Sequence, residues 1–513
     1  MGNRRGVANS LGSLGNAYYR LGDYKKAIDY HQQHLAISKE IGNRQGVANS
    51  LGNLGNAYHS LGNYKKAIDY HQQYLAISKE IGNRRGVAVS LNNLGLALQK
   101  SGKLVAAENH LRQAITTYED IRKLLLNKDT WKVSIFEQQA RTYRLLQQVL
   151  IARKQPQQAL VISEQGRTRA LVEILYRTRH NKPKQELIPP TLTLTQIQQV
   201  ANKEKATLVE YFVTLNEIYI WVISPQGKIK FRSVSLPKDI SIQQLVKITR
   251  EKQLNVRGRN SNNPPGKKDS STNRLKQLHQ LLIKPIADLL PKDEQQKVIF
   301  IPHQELFLVP FVALQDEKDK YLIEKHTILT APSIQALSLN PQNKQTAPIL
   351  PRGKDVLIVG NPTMPKTKVG KKLEPLKQLD GAEEEAKIIA KMLGTKAIIG
   401  SQATEPAIVK KMSSAKLIHF ATHGLLDGIN AIGSPGAITF TPFGKDDGFL
   451  TTSEIMEKFG LSSEQKLQAD LVVLSACDTG RGDIRGEGVI GLSRAFMASG
   501  VPTLVVSLWK VSL

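Results

Sequence analysis

Two side chains that can act together in nucleophilic chemistry stand at the ends of two apolar runs. Cys477, the only cysteine among 513 residues, ends the run 471–477, and His423 ends the run 417–423. Each run is predicted to be a short buried strand. Parallel strands bring their carboxyl ends to one edge, where ligands bind in open α/β sheets. A thiol and an imidazole that meet there can form a nucleophile with its general base.

The elements that would position these two strand ends begin after Pro190, where the periodicity changes from helical to strand-like. An antiparallel meander is predicted first, and strands then alternate with helices. Such alternation indicates a mostly parallel sheet covered on both faces. The predicted strands are 207–213, 218–223, 229–234, 298–301, 355–359 and 397–399, and the predicted helices are 275–290, 381–393 and 405–412.

The first 120 residues repeat with a period of 40. Leu11-Gly-Ser-Leu-Gly-Asn-Ala-Tyr18 recurs as Leu51-Gly-Asn-Leu-Gly-Asn-Ala-Tyr58, and each unit carries a later glycine, at Gly22, Gly62 and Gly102. Each unit is therefore predicted to be a helix, a glycine turn and a second helix. The small residues Gly15, Ala17 and Ala27 are expected where helices approach closely.

Helical patterning continues beyond the repeats, with helices predicted over 136–150 and 155–175. Asn181-Lys-Pro-Lys184 and Pro189-Pro190 then break it, which predicts a domain boundary.

The composition limits the class of protein. One cysteine permits no internal disulfide, which fits a reducing cytosol, and no apolar run is long enough to span a bilayer. The N-terminus has no signal-peptide pattern. Residues 1–180 carry 27 Lys/Arg against 12 Asp/Glu, so any acidic protein or RNA partner is expected on the helical part. Because no nucleic-acid motif accompanies these charges, a solvated basic surface is the favoured interpretation.

The 40-residue units resemble tetratricopeptide repeats. In that family, stacked helix pairs form a concave surface that binds peptides or proteins. The resemblance places Asn9, Asn16, Asn49 and Asn56 on the face that lines this groove, although they could equally be solvated polar positions. Val89 and Leu96 replace asparagine in the third unit.

The second half resembles the CHAT domain, a caspase-like domain of the clan that also contains separases. His419-Phe-Ala-Thr-His423-Gly424 and Ser475-Ala-Cys477-Asp-Thr-Gly480 are similar to its paired motifs. His303 is a departure, because the family more often has an acidic residue there; we expect it to affect a turn. The resemblance predicts an all-α tetratricopeptide solenoid followed by an α/β caspase-like three-layer sandwich.

The resemblance also implies roles for individual residues. Cys477 would attack a scissile carbonyl, and His423 would act as general base and then as acid. The backbone amides of Gly424 and Cys477 would form the oxyanion hole. The alternative is an inert buried cysteine and a core histidine, each at a strand end; the two matched motifs together favour catalysis.

Acidic residues near the thiol suggest a substrate preference, and the spacing of two histidines argues against a metal site. Asp478, Asp483 and Glu487 place negative charge beside Cys477, which would suit a basic P1 side chain, but solvated loop acids are an equal alternative. On a strand, His419 and His423 stand roughly 13 Å apart, at about 3.3 Å per residue, too far to ligate one zinc ion. We therefore expect His419 to be a supporting or core residue, and we expect neither a metal nor a cofactor.

The sequence as a whole predicts a cytoplasmic cysteine endopeptidase of a caspase-like clan. Its repeats would recruit a protein substrate, or a regulatory protein or peptide, on the concave face. The alternatives are a non-catalytic tetratricopeptide scaffold with a caspase-like docking module and, from charge alone, a nucleic-acid-triggered protease.

Three regions are expected: repeats over 1–120, degenerate repeat-like helices and a connector over 121–180, and the CHAT domain over 185–513. CHAT relatives continue past Trp509-Lys-Val511, so we expect this chain to end within that domain.

Overall fold

The computed structural model describes most of the chain. The described residues are 3–124, 129–167, 169–180, 189–237, 241–250, 272–339, 350–369, 372–425, 436–460, 463, 465–476, 483–485 and 488–508. They form two compact units, one up to Gly166 and the other from Arg167 onward. None of the described helices combines the length and apolar character needed to cross a membrane.

The repeats fold as consecutive pairs of helices, as the 40-residue period predicts. Asn43 caps the third helix by accepting a hydrogen bond from the N–H of Gly46, and Asn3 and Asn83 cap the equivalent helices. Gly22 turns the chain between paired helices at φ +81°, a conformation that favours glycine. The six helices are α1 (Arg4–Arg20), α2 (Tyr24–Glu40), α3 (Arg44–Ser60), α4 (Tyr64–Glu80), α5 (Arg84–Lys100) and α6 (Leu104–Leu124).

Small residues set how closely these helices approach. A Cβ added at Gly15 would lie 2.6 Å from the ring of His31, so glycine is required for this contact. Ala27 is fully buried, as predicted. Ala17, on the first helix, is exposed, whereas Ala57, its equivalent in the second unit, is fully buried. Ala57 packs within the array, in a cluster with Ile28 and Leu54.

Two more helices complete the first unit, α7 (Asp129–Ala152) and α8 (Pro156–Gln165). The helix predicted over 155–175 is therefore broken. It ends at Gly166, and the next helix, α9 (Arg169–His180), belongs to the second unit.

The second unit contains two five-stranded sheets. In the first sheet the strand order is β3-β2-β1-β4-β5, with an antiparallel meander (β1 to β3) extended by two parallel strands. Its strands are β1 (Ala206–Val213), β2 (Glu217–Ile223), β3 (Ile229–Ser235), β4 (Lys297–Ile301) and β5 (Thr327–Thr330). Helices α10 (Leu194–Glu204), α11 (Ile242–Thr249), α12 (Thr272–Leu282) and α13 (Ile334–Ser338) accompany it. The helix predicted over 275–290 ends early, before a single 3-10 turn that contains Pro285.

The second sheet is entirely parallel and carries the candidate site. Its order is β17-β14-β10-β6-β9. These strands are β6 (Val356–Pro362), β9 (Ile398–Gly400), β10 (Leu417–Ala421), β14 (Leu471–Ser475) and β17 (Thr503–Val506). The smaller strands are β7 (Lys366–Val369), β8 (Lys372–Pro375), β11 (Gly424–Leu425), β12 (Ala437–Thr439), β13 (Phe449–Thr451), β15 (Asp483–Arg485) and β16 (Gly488–Ile490).

Helices cover both faces of the parallel sheet. Ala386 and Ala390 of α14 (Asp380–Met392) pack with Val356, Ile358 and Leu417 on one face. The other face packs against α15 (Glu405–Met412), α16 (Thr452–Phe459) and α17 (Leu492–Ala498). Because β-strand side chains alternate between faces, Ile418 and Phe420 point to this second layer. The result is the predicted three-layer α/β arrangement, following an all-helical solenoid.

Candidate functional site

The two strands that precede the predicted dyad are neighbours in perfect register. β10 and β14 pair in parallel, with Leu417 opposite Leu471 and Ala421 opposite Ser475. The ladder continues one residue further, where the N–H of Thr422 donates to the carbonyl of Ser475 at 3.3 Å. His423 follows Ala421 by two residues, and Cys477 follows Ser475 by two. The sequence separation between paired residues of the two strands is therefore the same as the separation between the two predicted catalytic residues.

The thiol and most of the residues predicted beside it fall outside the described part of the chain. Cys477, Asp478 and Glu487 lie outside the described residues, as does Trp509. Asp483 is described only through its backbone, as the first residue of β15. The roles of these residues stay predictions.

His423 is held by a backbone carbonyl that the sequence did not indicate. Its Nε2 lies 2.8 Å from the carbonyl oxygen of Lys377. A carbonyl oxygen only accepts hydrogen bonds, so Nε2 carries a proton in this arrangement. In the neutral ring, Nδ1 is then the nitrogen with a free lone pair. The ring is part-exposed, so a reacting group can reach it.

The segment that presents this carbonyl is fixed on both sides of Lys377. The N–H of Leu376 donates to the carbonyl of Pro365 at 3.0 Å, and the N–H of Leu379 donates to Asn361 Oδ1 at 2.8 Å. Asn361 is buried near the end of β6 and has a positive φ of 42°. Asparagine is one of the few residues besides glycine that adopt this left-handed conformation readily. Asn361 and Pro362 lie in the irregular last part of β6, where its pairing with β9 shifts, and an Asn-Pro dipeptide after an apolar run is the sequence signal for such a break.

The backbone N–H of Gly424, directly after His423, points away from the neighbouring strand β12. Gly424 pairs with Ile438, and the N–H of Thr439 donates to the carbonyl of His423 at 3.1 Å. In an antiparallel ladder this bond makes Gly424 and Ile438 a non-hydrogen-bonded pair. The N–H of Gly424 therefore points away from β12.

A half-buried carboxylate joins the two strands. Glu385 of α14 accepts hydrogen bonds from His419 Nε2 at 2.9 Å and from Ser475 Oγ at 3.1 Å. Burial acts to raise the pKa of Glu385, but the hydrogen bonds from His419 and Ser475 outweigh it and hold this pKa below its usual value. His419 is thus buried and bonded to Glu385. The sequence did not indicate Glu385, because its helix offers three consecutive glutamates. Among the described residues, no three His, Cys, Asp or Glu side chains are arranged to hold a metal ion.

His303, the departure noted in the sequence, lies at the end of β4 in the other sheet. Its Nδ1 accepts a hydrogen bond from the N–H of Val213 at 3.1 Å, and its ring stacks on Phe212 with centroids 4.3 Å apart. These contacts fix the local turn.

The repeat array has a groove of about 490 Å³ that is rich in asparagine. Asn53 bonds Asn16 across adjacent units at 3.2 Å, and Asn93 bonds Asn56 at the same distance. Val89 also lines this groove, so the part of the groove that the third repeat forms is less polar. The asparagines that line it are Asn9, Asn16, Asn49, Asn53, Asn56 and Asn93.

Comparison with known families matches two parts of the chain. Tetratricopeptide-repeat models match residues 6–80 and 87–121, and the CHAT-domain model matches residues 272–513. The chain therefore carries tetratricopeptide repeats followed by a CHAT domain. The repeats indicate a role in protein–protein interaction.

Individual relatives match over more of the chain at lower identity. Tetratricopeptide repeat protein 28 of Homo sapiens is 25% identical over 538 residues, which covers 80% of this chain and 21% of the relative. The Mus musculus protein of the same name is 25% identical, with 80% and 22% covered. This chain thus spans about a fifth of the length of these relatives.

Solved structures share similarity with part of the chain. BtubC from P. vanneervenii has a TM-score of 0.29 and 20% identity, with 38% of this chain and 72% of that chain covered. The tetratricopeptide domain of Arabidopsis FLU has a TM-score of 0.22 and 21% identity, with 23% of this chain and 98% of that chain covered.

Proposed function

We propose that this chain is a cysteine endopeptidase whose catalytic pair is Cys477 and His423, and whose repeats recruit a substrate or regulator. The observation that carries the proposal is the register of β10 and β14. Ala421 lies opposite Ser475, and each predicted catalytic residue follows its strand by two positions. Adjacent strands are about 4.8 Å apart, so side chains that leave neighbouring strands at equivalent positions start within reach of each other.

In this mechanism His423 is the base through Nδ1. The Cys477 thiol passes its proton to that nitrogen, and the sulfur attacks the carbonyl carbon of the scissile peptide bond. The imidazolium then protonates the leaving amine. A water that gives its proton to the same nitrogen hydrolyses the thioester and regenerates the thiol. The Lys377 carbonyl supports these steps because its bond to Nε2 keeps the ring in one tautomer and orientation.

The oxyanion would be held by the amides of Gly424 and Cys477. The direction of the Gly424 N–H, away from β12, supports this assignment. We further propose that Asp478, Asp483 and Glu487 favour a basic residue at P1, because their charge is close to Cys477 in sequence.

For the repeat array we propose that the asparagine-rich groove takes an extended segment of a protein substrate or regulator. Each asparagine amide offers both donors and an acceptor, which match the N–H and C=O groups of a peptide backbone. The existing Asn16–Asn53 and Asn56–Asn93 bonds would open or extend to such a segment. Partner binding would then shift the loops around Cys477 into working geometry. We propose that this activity is cytoplasmic. For the domain limits we propose repeats over 1–120, degenerate helices and a connector over 121–180 and the CHAT domain over 185–513, with α9 of the connector belonging to the second compact unit.

The rival is a non-catalytic scaffold in which the CHAT domain only docks a partner. Labelling with a library of peptidyl acyloxymethyl ketones separates the two, because Cys477 is the only cysteine and any adduct on it is unambiguous. We expect Cys477 to be modified in the wild type and to resist modification in His423→Ala. Equal modification of both proteins would exclude the peptidase and leave the scaffold.

A further inference from the structure

The CHAT domain contains a three-residue contact that no step of the proposed mechanism uses. Glu385 projects from α14 onto the parallel sheet and contacts two different strands at once. One carboxylate oxygen accepts from His419 on β10, and the other accepts from Ser475 on β14. The His419 side chain is only 7% exposed and the Glu385 side chain 29% exposed. A single carboxylate thus ties together the two strands that lead to His423 and Cys477.

The contact lies close to the proposed chemistry along both strands. Ser475 precedes Cys477 by two residues, and His419 precedes His423 by four. Alternation along a strand puts His419 and Ala421 on the same face, and Ala421 lies opposite Ser475. Glu385 therefore lies on the face that α14 covers, close to the carboxyl ends of both strands.

The contact is strongest with a carboxylate. An ionised carboxylate accepts at both oxygens, whereas a glutamine in its place accepts at one and donates at the other. Glutamine could still accept from His419 Nε2, but its amide would then donate to Ser475 Oγ, so the hydroxyl would have to turn away. Charge-assisted hydrogen bonds are also roughly twice as strong as neutral ones. Replacing Glu385 by glutamine therefore keeps its size and weakens this cross-strand tie, and Ser475→Ala removes one of its two bonds.

We propose that Glu385 is a positioning residue of the peptidase site: it fixes the ends of β10 and β14 relative to each other, so that His423 can take the proton of Cys477. This inference rests on the proposed function. Small displacements of reacting groups are costly, since an error of about 1 Å can lower a rate by roughly 100-fold. Glu385→Gln should therefore reduce how readily Cys477 is activated, with little change in the stability of the chain.

The test uses iodoacetamide, which reacts with thiolates and needs no peptide specificity, on the full chain. At pH 7 we expect Cys477 of Glu385→Gln and of Ser475→Ala to be alkylated at least about tenfold more slowly than in the wild type, approaching His423→Ala. At pH 10 every variant should react at the wild-type rate, because a thiol with a pKa of about 8.5 ionises without a base. The matched control is Glu384→Gln, whose side chain is exposed on the same helix. Thermal melts establish that each variant is folded.

The outcomes separate the inference from the proposed function. If the wild type is activated relative to His423→Ala, yet folded Glu385→Gln and folded Ser475→Ala both react at the wild-type rate at pH 7, the positioning role is wrong and the peptidase stands. If Glu385→Gln unfolds and Ser475→Ala reacts at the wild-type rate, the positioning role is also wrong, because Glu385 would then stabilise the fold without positioning the site. If the wild type reacts no faster than His423→Ala, the proposed function itself fails.

Discussion

The Nε2 atom of His423 lies 2.8 Å from the carbonyl oxygen of Lys377, a residue 46 positions earlier in the chain. This contact determines which ring nitrogen is available as a base. It also makes the site depend on a segment that contributes no side chain to the chemistry, and that segment depends in turn on Asn361.

Asn361 should therefore matter for the reactivity of Cys477. Asn361→Gly removes the acceptor for the Leu379 N–H but tolerates the positive φ of 42°. Asn361→Ala removes the acceptor and adds backbone strain of about 1–2 kcal/mol. We expect both variants to slow the alkylation of Cys477 at pH 7, and only the alanine variant to lose appreciable stability in urea unfolding. The double variant Asn361→Asp with Glu383→Gln keeps the acceptor and avoids a second carboxylate beside Glu383, so it should stay close to the wild-type rate; a slow double variant would contradict this account.

Glu405 should make the CHAT domain less stable as pH rises. Its side chain is buried with both oxygens unpaired among the described residues, and burial together with Glu454, Asp446 and Asp447 raises its pKa to about 7. Because this pKa lies above the value of about 4.3 in an unfolded chain, stability is fully present below pH 4 and is lost as pH rises through 7. Glu405→Gln should be more stable than the wild type by about 2–3 kcal/mol at pH 8 and similar at pH 4.

Urea unfolding at the two pH values measures this difference. Glu454→Gln is the comparison variant, because it removes a neighbouring charge and leaves the buried carboxyl in place. An equal effect of Glu405→Gln at both pH values would show that ionisation of Glu405 is not the cause.

The repeat array should lose stability in acid because of its buried histidines. His71 fills the space beside Gly55, and burial lowers its pKa to about 3. The unfolded chain, with a histidine pKa of about 6.5, binds protons first as pH falls, so stability is complete above pH 6.5 and decreases below it. We expect a loss of about 2 kcal/mol between pH 7 and pH 5 from His71 alone.

The third repeat supplies the matched control for this prediction. Leu111 occupies the equivalent place beside Gly95. His71→Leu should flatten the acid dependence of hydrogen–deuterium exchange in α3 to α6, and Leu111→His should steepen it. Unchanged exchange in both variants would assign the acid response to other groups.

Arg167 should be among the most sensitive positions of the second unit. Its buried guanidinium donates to Glu210 Oε1 at 3.1 Å, to the carbonyl of Pro302 at 2.6 Å and to the carbonyl of Tyr211. Arg167→Ala leaves Glu210, which is fully buried, without its counter-charge and should cost about 3–5 kcal/mol. Urea unfolding followed by tryptophan fluorescence measures this cost. The double variant Arg167→Met with Glu210→Gln should recover part of it, and no recovery would mean that the carbonyl contacts dominate.

Much of this architecture could be predicted from the sequence, because it depends on local patterns. The 40-residue period predicts the helices of the array, and two apolar runs predict the positions of β10 and β14. Contacts between distant segments could not be predicted in the same way. Nothing in the run Glu383-Glu384-Glu385 indicates which carboxylate turns toward the sheet, and a backbone carbonyl such as that of Lys377 has no sequence signature. The helix predicted over 155–175 failed because its apolar periodicity continues through Gly166, where the structure ends α8.

The most direct test of the central claim is the rate at which iodoacetamide alkylates Cys477 at pH 6, compared between the wild type and His423→Ala. A free thiol with a pKa of about 8.5 is almost entirely protonated at that pH. If His423 takes its proton, the wild-type thiol should react at least about tenfold faster than the variant, and the two rates should converge near pH 10. Equal rates at pH 6 in two folded proteins would contradict the pairing of Cys477 with His423.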